Sequence, residues 1–118
     1  MATVSGFAYL PPLHTLGFHF CEWAPISAEI LMDRNRKFTD YGFPIDVLWS
    51  DIAWADQYDD PTGYEYFIFN PKNFTEAQIN QMNGEIEEQG RRIVLIVDPH
   101  IKVSDDYFVY SNGMELQN

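Results

Sequence analysis

Three apolar runs along the chain have strand character, and the segments between them carry helical spacing. The first, "TLGFHFCEW" (15–23), is dense in aromatics and is ended by Pro25. The second, "IDVLWSDI" (45–52), is opened by Pro44. The third is "RRIVLIVDP" (91–99). Its five consecutive apolar residues, four of them β-branched, predict a parallel strand buried on both faces. Between the first two lies "SAEILMDRNRKFTDYG", with Ile30, Leu31, Phe38 and Tyr41 near helical spacing. Ser27 is its N-cap and Gly42 its stop. After the second run comes a polar loop, "DQYDDPTGYEY", with Asp-Pro and Thr-Gly turn chemistry, then a short extended piece, "YFIFNP", ending at Pro71. A helix follows from Thr75 to Gln89. Thr75 and Gln78 form a capping box, Ile79, Met82 and Ile86 share one face, and Gly90 stops it. Pro11-Pro12 marks a loop near the start, and the tail from Tyr107 to Asn118 has no clear pattern.

The order strand, helix, strand, loop, helix, strand predicts an α/β unit. Two right-handed crossovers give three parallel strands with helices outside. Residues 1–118 read as a single unit with its core between 10 and 110. The chain has 118 residues, 46% of them hydrophobic, which suits a packed core rather than disorder. A net charge of −11 repels phosphate backbones and argues against nucleic acid as a partner. No stretch approaches the roughly 20 apolar residues of a membrane span, and no basic amphipathic helix suits a membrane surface. The first residues lack the charged start and apolar centre of a signal peptide. Cys21 is the only cysteine, so no internal disulfide forms. With no cation or helix start beside it in sequence, it reads as a small buried residue.

The chemistry gathers where the strands end. The first run ends at Trp23, the second at Asp51, the third at Asp98-Pro99-His100. In parallel α/β folds, ligands meet the carboxyl ends of the strands, so Trp23, Asp51, Asp98 and His100 are expected around one mouth. Each residue also has a plainer reading. Asp51 suits a loop cap, Asp98 a turn start, His100 a partly buried hydrogen-bonding group and Trp23 a core ring. The stretch "VLWSDIAWAD" (47–56) is the most pointed case, since an apolar strand delivers Asp51 with Trp54 and Asp56 close behind. His19, Asp51, Asp98 and His100 can be drawn as a metal set, but no HExxH, HxH or cysteine pair supports one. No GxSxG elbow, P-loop or GxGxxG is present.

Four segments in order, "LPPLHTLGFHFCEW", "YGFPIDVLWSDIAWAD", "YFIFNP" and "RRIVLIVDPHIKV", resemble the start of the catalytic barrel of glycoside hydrolase family 31. The likeness covers residues 10 to about 110 and is nearest to the family's glucosidase II alpha-subunit and neutral alpha-glucosidase branch. It implies a partial (β/α)8 TIM barrel with about three parallel strands and two crossover helices. It implies an enzyme that removes terminal α-linked glucose from oligosaccharides or N-glycans with retention of configuration and without a cofactor. It also implies roles for particular residues. Asp51 would bind hydroxyls of the terminal glucose, with Trp23 and Ile52 lining the same subsite. Asp98 would support the pocket floor or the nucleophile's surroundings, with His100 and Ile101 just after it, and Phe69 stands where the family carries a pocket tryptophan. The endoplasmic reticulum is the compartment this branch implies.

The chain departs from the family pattern at named positions. Glu22 stands where arginine is usual, Ala53 and Trp54 replace the usual pair after "DI", "FTW" becomes "FIF", and Asn70 replaces an aspartate. Retaining hydrolysis needs two carboxyls roughly 5 Å apart. The family places these on later strands, in motifs not found in this sequence, so this chain is expected to be inactive alone. The implied partners are an alpha-glucoside or glycan and the remainder of the barrel, with self-association through open sheet edges as a further expectation. The alternative is a non-enzymatic carbohydrate-binding or interaction module. A small flavodoxin-like domain is a further class, disfavoured by the absent glycine-rich loop.

Overall fold

The computed structural model describes residues 2–23, 26–58, 60–61 and 63–116. Pro25, expected to end the first strand, Thr62 of the Thr-Gly turn, and Gln117 and Asn118 of the tail lie outside them. In chain order the elements are α1 (Ala2–Ser5), a 3-10 helix (Leu13–Leu16), β1 (His19–Glu22), α2 (Ala28–Asp40) and β2 (Val47–Ser50). Then come a 3-10 turn (Ile52–Trp54), β3 (Ala55–Asp56), β4 (Glu65–Phe69), α3 (Glu76–Glu88), β5 (Arg92–Leu95) and α4 (Phe108–Glu115).

β1, β2 and β5 form one parallel sheet in that order. Cys21 lies opposite Trp49, and Trp49 opposite Val94. Side chains alternate across such a sheet. Phe20, Leu48, Ile93 and Leu95 therefore share the face that packs on Leu31 and Met32 of α2 and Met82 and Ile86 of α3. His19, Cys21, Val47, Trp49, Arg92 and Val94 belong to the other face, where His19 meets the His14 carbonyl of the 3-10 helix and Val47 is buried. This is a three-stranded parallel α/β unit with both crossover helices, as the order of runs predicted.

Local chemistry sets the helices. Ser27 Oγ accepts from the Ile30 N–H at 3.2 Å and starts α2. Thr75 and Gln78 complete their capping box at the start of α3. Gly90, at φ +71°, takes the left-handed turn that leads into β5. The buried stripe of α2 is Ala28, Leu31, Met32 and Asn35, spaced at i, i+3, i+4 and i+7. The expected set is corrected at its ends. Ile30 and Phe38 flank the stripe half-buried, while Tyr41 caps the helix beyond the sheet and is exposed. Polar contacts hold α2 against α3. Arg36 donates to Glu85 at 2.8 Å, and the Arg91 guanidinium donates to the Asn35 carbonyl and side-chain oxygens.

Three expectations need correction. β5 is not buried on both faces, since Ile93, Val94 and Leu95 are half-buried and Val97 is 48% exposed. It is an edge strand with β2 on one side and helices on one face. The strands are also shorter than their apolar runs. Residues 13–16 close a 3-10 helix fixed by Thr15 bonding back to the Pro12 carbonyl, where the first strand was expected to begin. Cys21 is exposed rather than buried, because β1 is the other edge strand of the sheet.

The loop after β2 holds more order than its polarity suggests. β3 and β4 pair antiparallel, with Ala55 opposite Phe69 and Asp56 opposite Glu65. The register shift between these pairs is a bulge, and Phe67 sits in it at φ +68°. The core continues from the sheet under this hairpin through Trp54, Tyr66 and Phe74. The segment after β5 then returns to the hairpin, where buried Tyr107 donates to the Tyr66 carbonyl at 2.6 Å.

Candidate functional site

Asp51 directly follows β2 and is half-buried. Its Oδ1 accepts from the Ile52 N–H at 2.7 Å and caps the 3-10 turn. Among the described residues, its Oδ2 accepts from the Cys21 thiol, at 3.8 Å. A thiol is a weak donor, so this oxygen keeps capacity for a stronger one. Partial burial, then the Asp51 carboxylate and Glu22, raise the Cys21 thiol above its ordinary value, which keeps it protonated and a poor nucleophile. Glu22 is itself paired with Arg34 at 2.8 Å. Trp54 turns away from Asp51 into the core, and its indole donates to the Ile96 carbonyl at 2.8 Å. That bond ties the end of β2 to the end of β5. Asp56 accepts from the Gln57 N–H at 2.8 Å and shapes the loop behind.

Trp23 follows β1 by one residue and is 76% exposed. Its indole N–H donates to the Tyr58 hydroxyl at 3.2 Å. The β1–β2 pairing ends with Glu22 opposite Ser50, and Trp23 and Asp51 are the residues that follow it on the two chains.

Asp98 lies three residues beyond the end of β5 rather than at it. Its Oδ2 accepts from the Tyr64 and Tyr66 hydroxyls, at 3.1 and 3.0 Å. Burial, with the Tyr64 hydroxyl second, raises the Tyr66 phenol far above its ordinary value, so Tyr66 stays a donor. The His100 ring packs on both tyrosines, with centroids 4.9 and 5.2 Å away. Tyr64 also meets Tyr58 at 5.9 Å. An aromatic belt of Trp23, Tyr58, Tyr64 and His100 therefore runs from the end of β1 to the segment after β5.

The other predicted positions fall elsewhere. Ile52 is half-buried against the core. Phe69 packs against Trp54 and Phe74, each at 5.3 Å, within the core rather than at the mouth. Ile101 is exposed. His19 has both ring nitrogens engaged. Trp49 donates to Nδ1 at 2.9 Å, and because an indole is a donor only, Nε2 carries the proton toward the His14 carbonyl at 3.1 Å. Among the described residues, no group of three or more His, Cys, Asp or Glu is placed to hold a metal.

Sequence reading missed Tyr58, Tyr64 and Tyr66. The "YEY" spacing of two was a usable sign, since it puts Tyr64 and Tyr66 on one side of an extended segment. Nothing in the sequence pointed to Tyr58.

What the arrangement can do is bind. It offers one carboxylate with free acceptor capacity, one exposed indole and a row of rings with hydroxyl and imidazole edges. That combination suits a polyol with apolar faces.

Comparison with known proteins gives concordant results. The family model described as "Glycosyl hydrolases family 31 TIM-barrel domain" matches residues 8–118. Neutral alpha-glucosidase AB of Sus scrofa is 37% identical over 117 residues, which is 99% of this chain and 11% of that protein. A probable glucan 1,3-alpha-glucosidase of Arabidopsis thaliana is 33% identical over 115 residues, 98% of this chain and 12% of that protein. Among solved structures, an ER glucosidase II heterodimeric complex, consisting of the catalytic subunit and the binding domain of the regulatory subunit, superposes with a TM-score of 0.77. It is 32% identical over 88% of this chain and 10% of that one. The chain thus spans about a tenth of the length of the relatives it matches.

Proposed function

This chain belongs to glycoside hydrolase family 31, as part of its TIM-barrel domain, and on that premise we propose that it supplies one side of an alpha-glucosidase's glucose pocket. In this reading Asp51 accepts hydrogen bonds from hydroxyls of a terminal α-linked glucose. Trp23 and Ile52 flank that sugar, and Asp98 with His100 holds the far side of the mouth. Phe69 acts from behind, by supporting the Trp54 side of the strand end. The observation that carries the reading is the placing of Asp51. It directly follows the central strand, with one oxygen fixed by a backbone N–H and the other partnered, among the described residues, by a weakly donating thiol.

The substrate we propose is a terminal α-glucoside of an oligosaccharide or N-glycan, and the compartment the endoplasmic reticulum, in keeping with the solved ER glucosidase II. Asp51 and Asp98 are assigned to binding. The carboxylate pair of retaining hydrolysis belongs to the rest of the barrel, which would also cover the free edges of β1 and β5.

The test is a titration of the 118-residue chain with glucose and an iminosugar, followed by amide chemical shifts. Saturable shifts at Asp51 and Ile52, lost in Asp51→Ala, are expected. A dispersed spectrum that neither sugar moves would remove the reading. Release of glucose from maltose by this chain alone would overturn the assignment of both aspartates to binding.

A further inference from the structure

We propose that Asn73 is the acceptor of an N-linked glycan, attached when the chain enters the lumen of the endoplasmic reticulum. The inference rests on the compartment proposed above and concerns the turn before α3, which the glucose pocket does not use.

Asn73, Phe74 and Thr75 form the triplet Asn-X-Thr, with X not proline, that lumenal glycosylation accepts. Among the asparagines of the chain, only Asn73 has a serine or threonine two places on. Such triplets also arise by chance, so the surroundings of the side chain decide.

The backbone of Asn73 is fixed and its side chain is not. Asn73 ends the turn 71–73 that leads out of β4 and is partly exposed. Its N–H donates to the Asn70 carbonyl at 3.0 Å, and its own carbonyl accepts from the Ala28 N–H at 3.1 Å, at the start of α2. Phe74 anchors the turn from below, 3% exposed and packed on Phe69. Pro71, Lys72, Thr75 and Glu76 around it are exposed. Among the described residues, the Asn73 side-chain amide makes no hydrogen bond. Other asparagines differ. The Asn70 side chain accepts from the Lys72 N–H at 3.0 Å, and Asn35 is fully buried against Arg91. A substituent on the Asn73 nitrogen therefore breaks no bond of the fold.

In the transfer, the Asn73 side-chain nitrogen bonds to the anomeric carbon of the first sugar. The bond from that carbon to the diphosphate of a polyprenyl carrier breaks, and the carrier leaves as its diphosphate. One amide proton passes to a base of the transferase. The Thr75 hydroxyl is the group read two residues on. In the folded chain it is already committed. It accepts from the Gln78 N–H at 3.3 Å and donates to Gln78 Oε1 at 2.8 Å, as the cap of α3. Transfer therefore precedes capping, on the chain as it emerges, and α3 closes afterwards with the glycan in water. The turn joins the amino ends of α2 and α3, so the glycan stands on the helix layer and leaves the free edges of β1 and β5 open to the rest of the barrel.

The experiment expresses the 118-residue chain behind a cleavable secretory leader in cultured eukaryotic cells and follows tryptic peptide 73–91 by mass spectrometry. The peptide is expected to carry a glycan that peptide-N-glycosidase releases, leaving a carboxylate in place of the Asn73 amide. Thr75→Asp keeps a side chain able to cap α3 but removes the hydroxyl, so it should lose the glycan and retain its helical content. Asn73→Gln should lose the glycan too, and this readout does not depend on folding. Leader-cleaved chain with an unmodified peptide 73–91 would overturn this inference and leave the compartment standing. A glycan that persists on the peptide in Asn73→Gln would overturn it as well. A peptide modified in the leader-directed chain but bare in the protein isolated from its own source would remove the endoplasmic-reticulum reading and leave the acceptor site standing.

Discussion

The two oxygens of Asp51 are used differently, and the difference is measurable through Cys21. Oδ1 caps the turn that follows β2, while Oδ2 lies 3.8 Å from the thiol. Partial desolvation is the first cause of the raised thiol pKa, and the Asp51 charge is the second. The thiolate is the reactive form, so alkylation of Cys21 at neutral pH should be several-fold slower than that of a free cysteine, although the residue is exposed. The pH–rate midpoint should lie above the usual thiol range. Asp51→Asn removes the anion but not the desolvation. It should move that midpoint down part of the way and speed the reaction at neutral pH. An unchanged profile in Asp51→Asn would mean that the carboxylate does not face the thiol, and with it would go the weakly partnered oxygen on which the glucose reading depends. The placing of Asp51 at a strand end was legible from the sequence because the apolar residues 47–49 lead almost straight into it. Trp54, three residues on, was not. A tryptophan in the loop after a strand looks the same whether it faces a ligand or, as here, turns inward to bond the Ile96 carbonyl.

At the level of elements, the parallel strands and both crossover helices followed from periodicity and caps, because those signals are local. The capping box at Thr75 and Gln78 can be read from four residues alone. The β3–β4 hairpin could not be read this way. β3 is two residues long, its partner carries a bulge at Phe67, and its stability comes from contacts distant in sequence. The main one is Lys102, whose side chain is 9% exposed. Its ammonium lies 3.5 Å from carboxylate oxygens of both Glu65 and Asp60, and it donates to Gln57. Glu65 is almost as buried, with its side chain 7% exposed. Removing one partner of such a pair strands the other charge in a poor solvent. Lys102→Met is therefore expected to destabilise the hairpin by about 3–5 kcal/mol, and adding Glu65→Gln should recover a large part of that loss. Denaturant unfolding of the single and double variants measures both. Equal losses in the two variants would show that the stranded Glu65 charge is not what destabilises Lys102→Met. The same pin explains why the tail resisted reading. Tyr107 is fully buried only because segment 102–107 is drawn onto β4, and no pattern within the tail itself records that.

For the whole molecule, the sheet decides the behaviour. Among the described residues, β1 and β5 each pair on one side only, and α2 and α3 both pack on the same face of the sheet. The chain is correspondingly spread out. It measures 50 × 48 × 23 Å with a radius of gyration of 17.6 Å, against about 13 Å for a compact domain of this length. Phe7, Tyr9, Leu10 and Leu13 near the start stand in water, as do Phe18 and Phe43 beside β1. Open parallel edges and apolar surface of this kind recruit further strands. In isolation the chain should therefore associate in a concentration-dependent way, visible as rising mass in light scattering behind a sizing column. The net charge of −11 opposes this, so association should strengthen with salt as repulsion is screened. Val97, half-exposed just past β5, is the place to test the route. Val97→Lys sets a charge at that free edge, as natural edge strands do, and should shift association to higher concentration without loss of helical content. If Val97→Lys associates as the unaltered chain does, contact runs through the aromatic surface beside β1 instead, and Phe43→Ser becomes the variant that should suppress it. A chain that stays monomeric at high salt would show that the free sheet edges tolerate water, and would make an independent binding module the stronger account of this piece of the barrel.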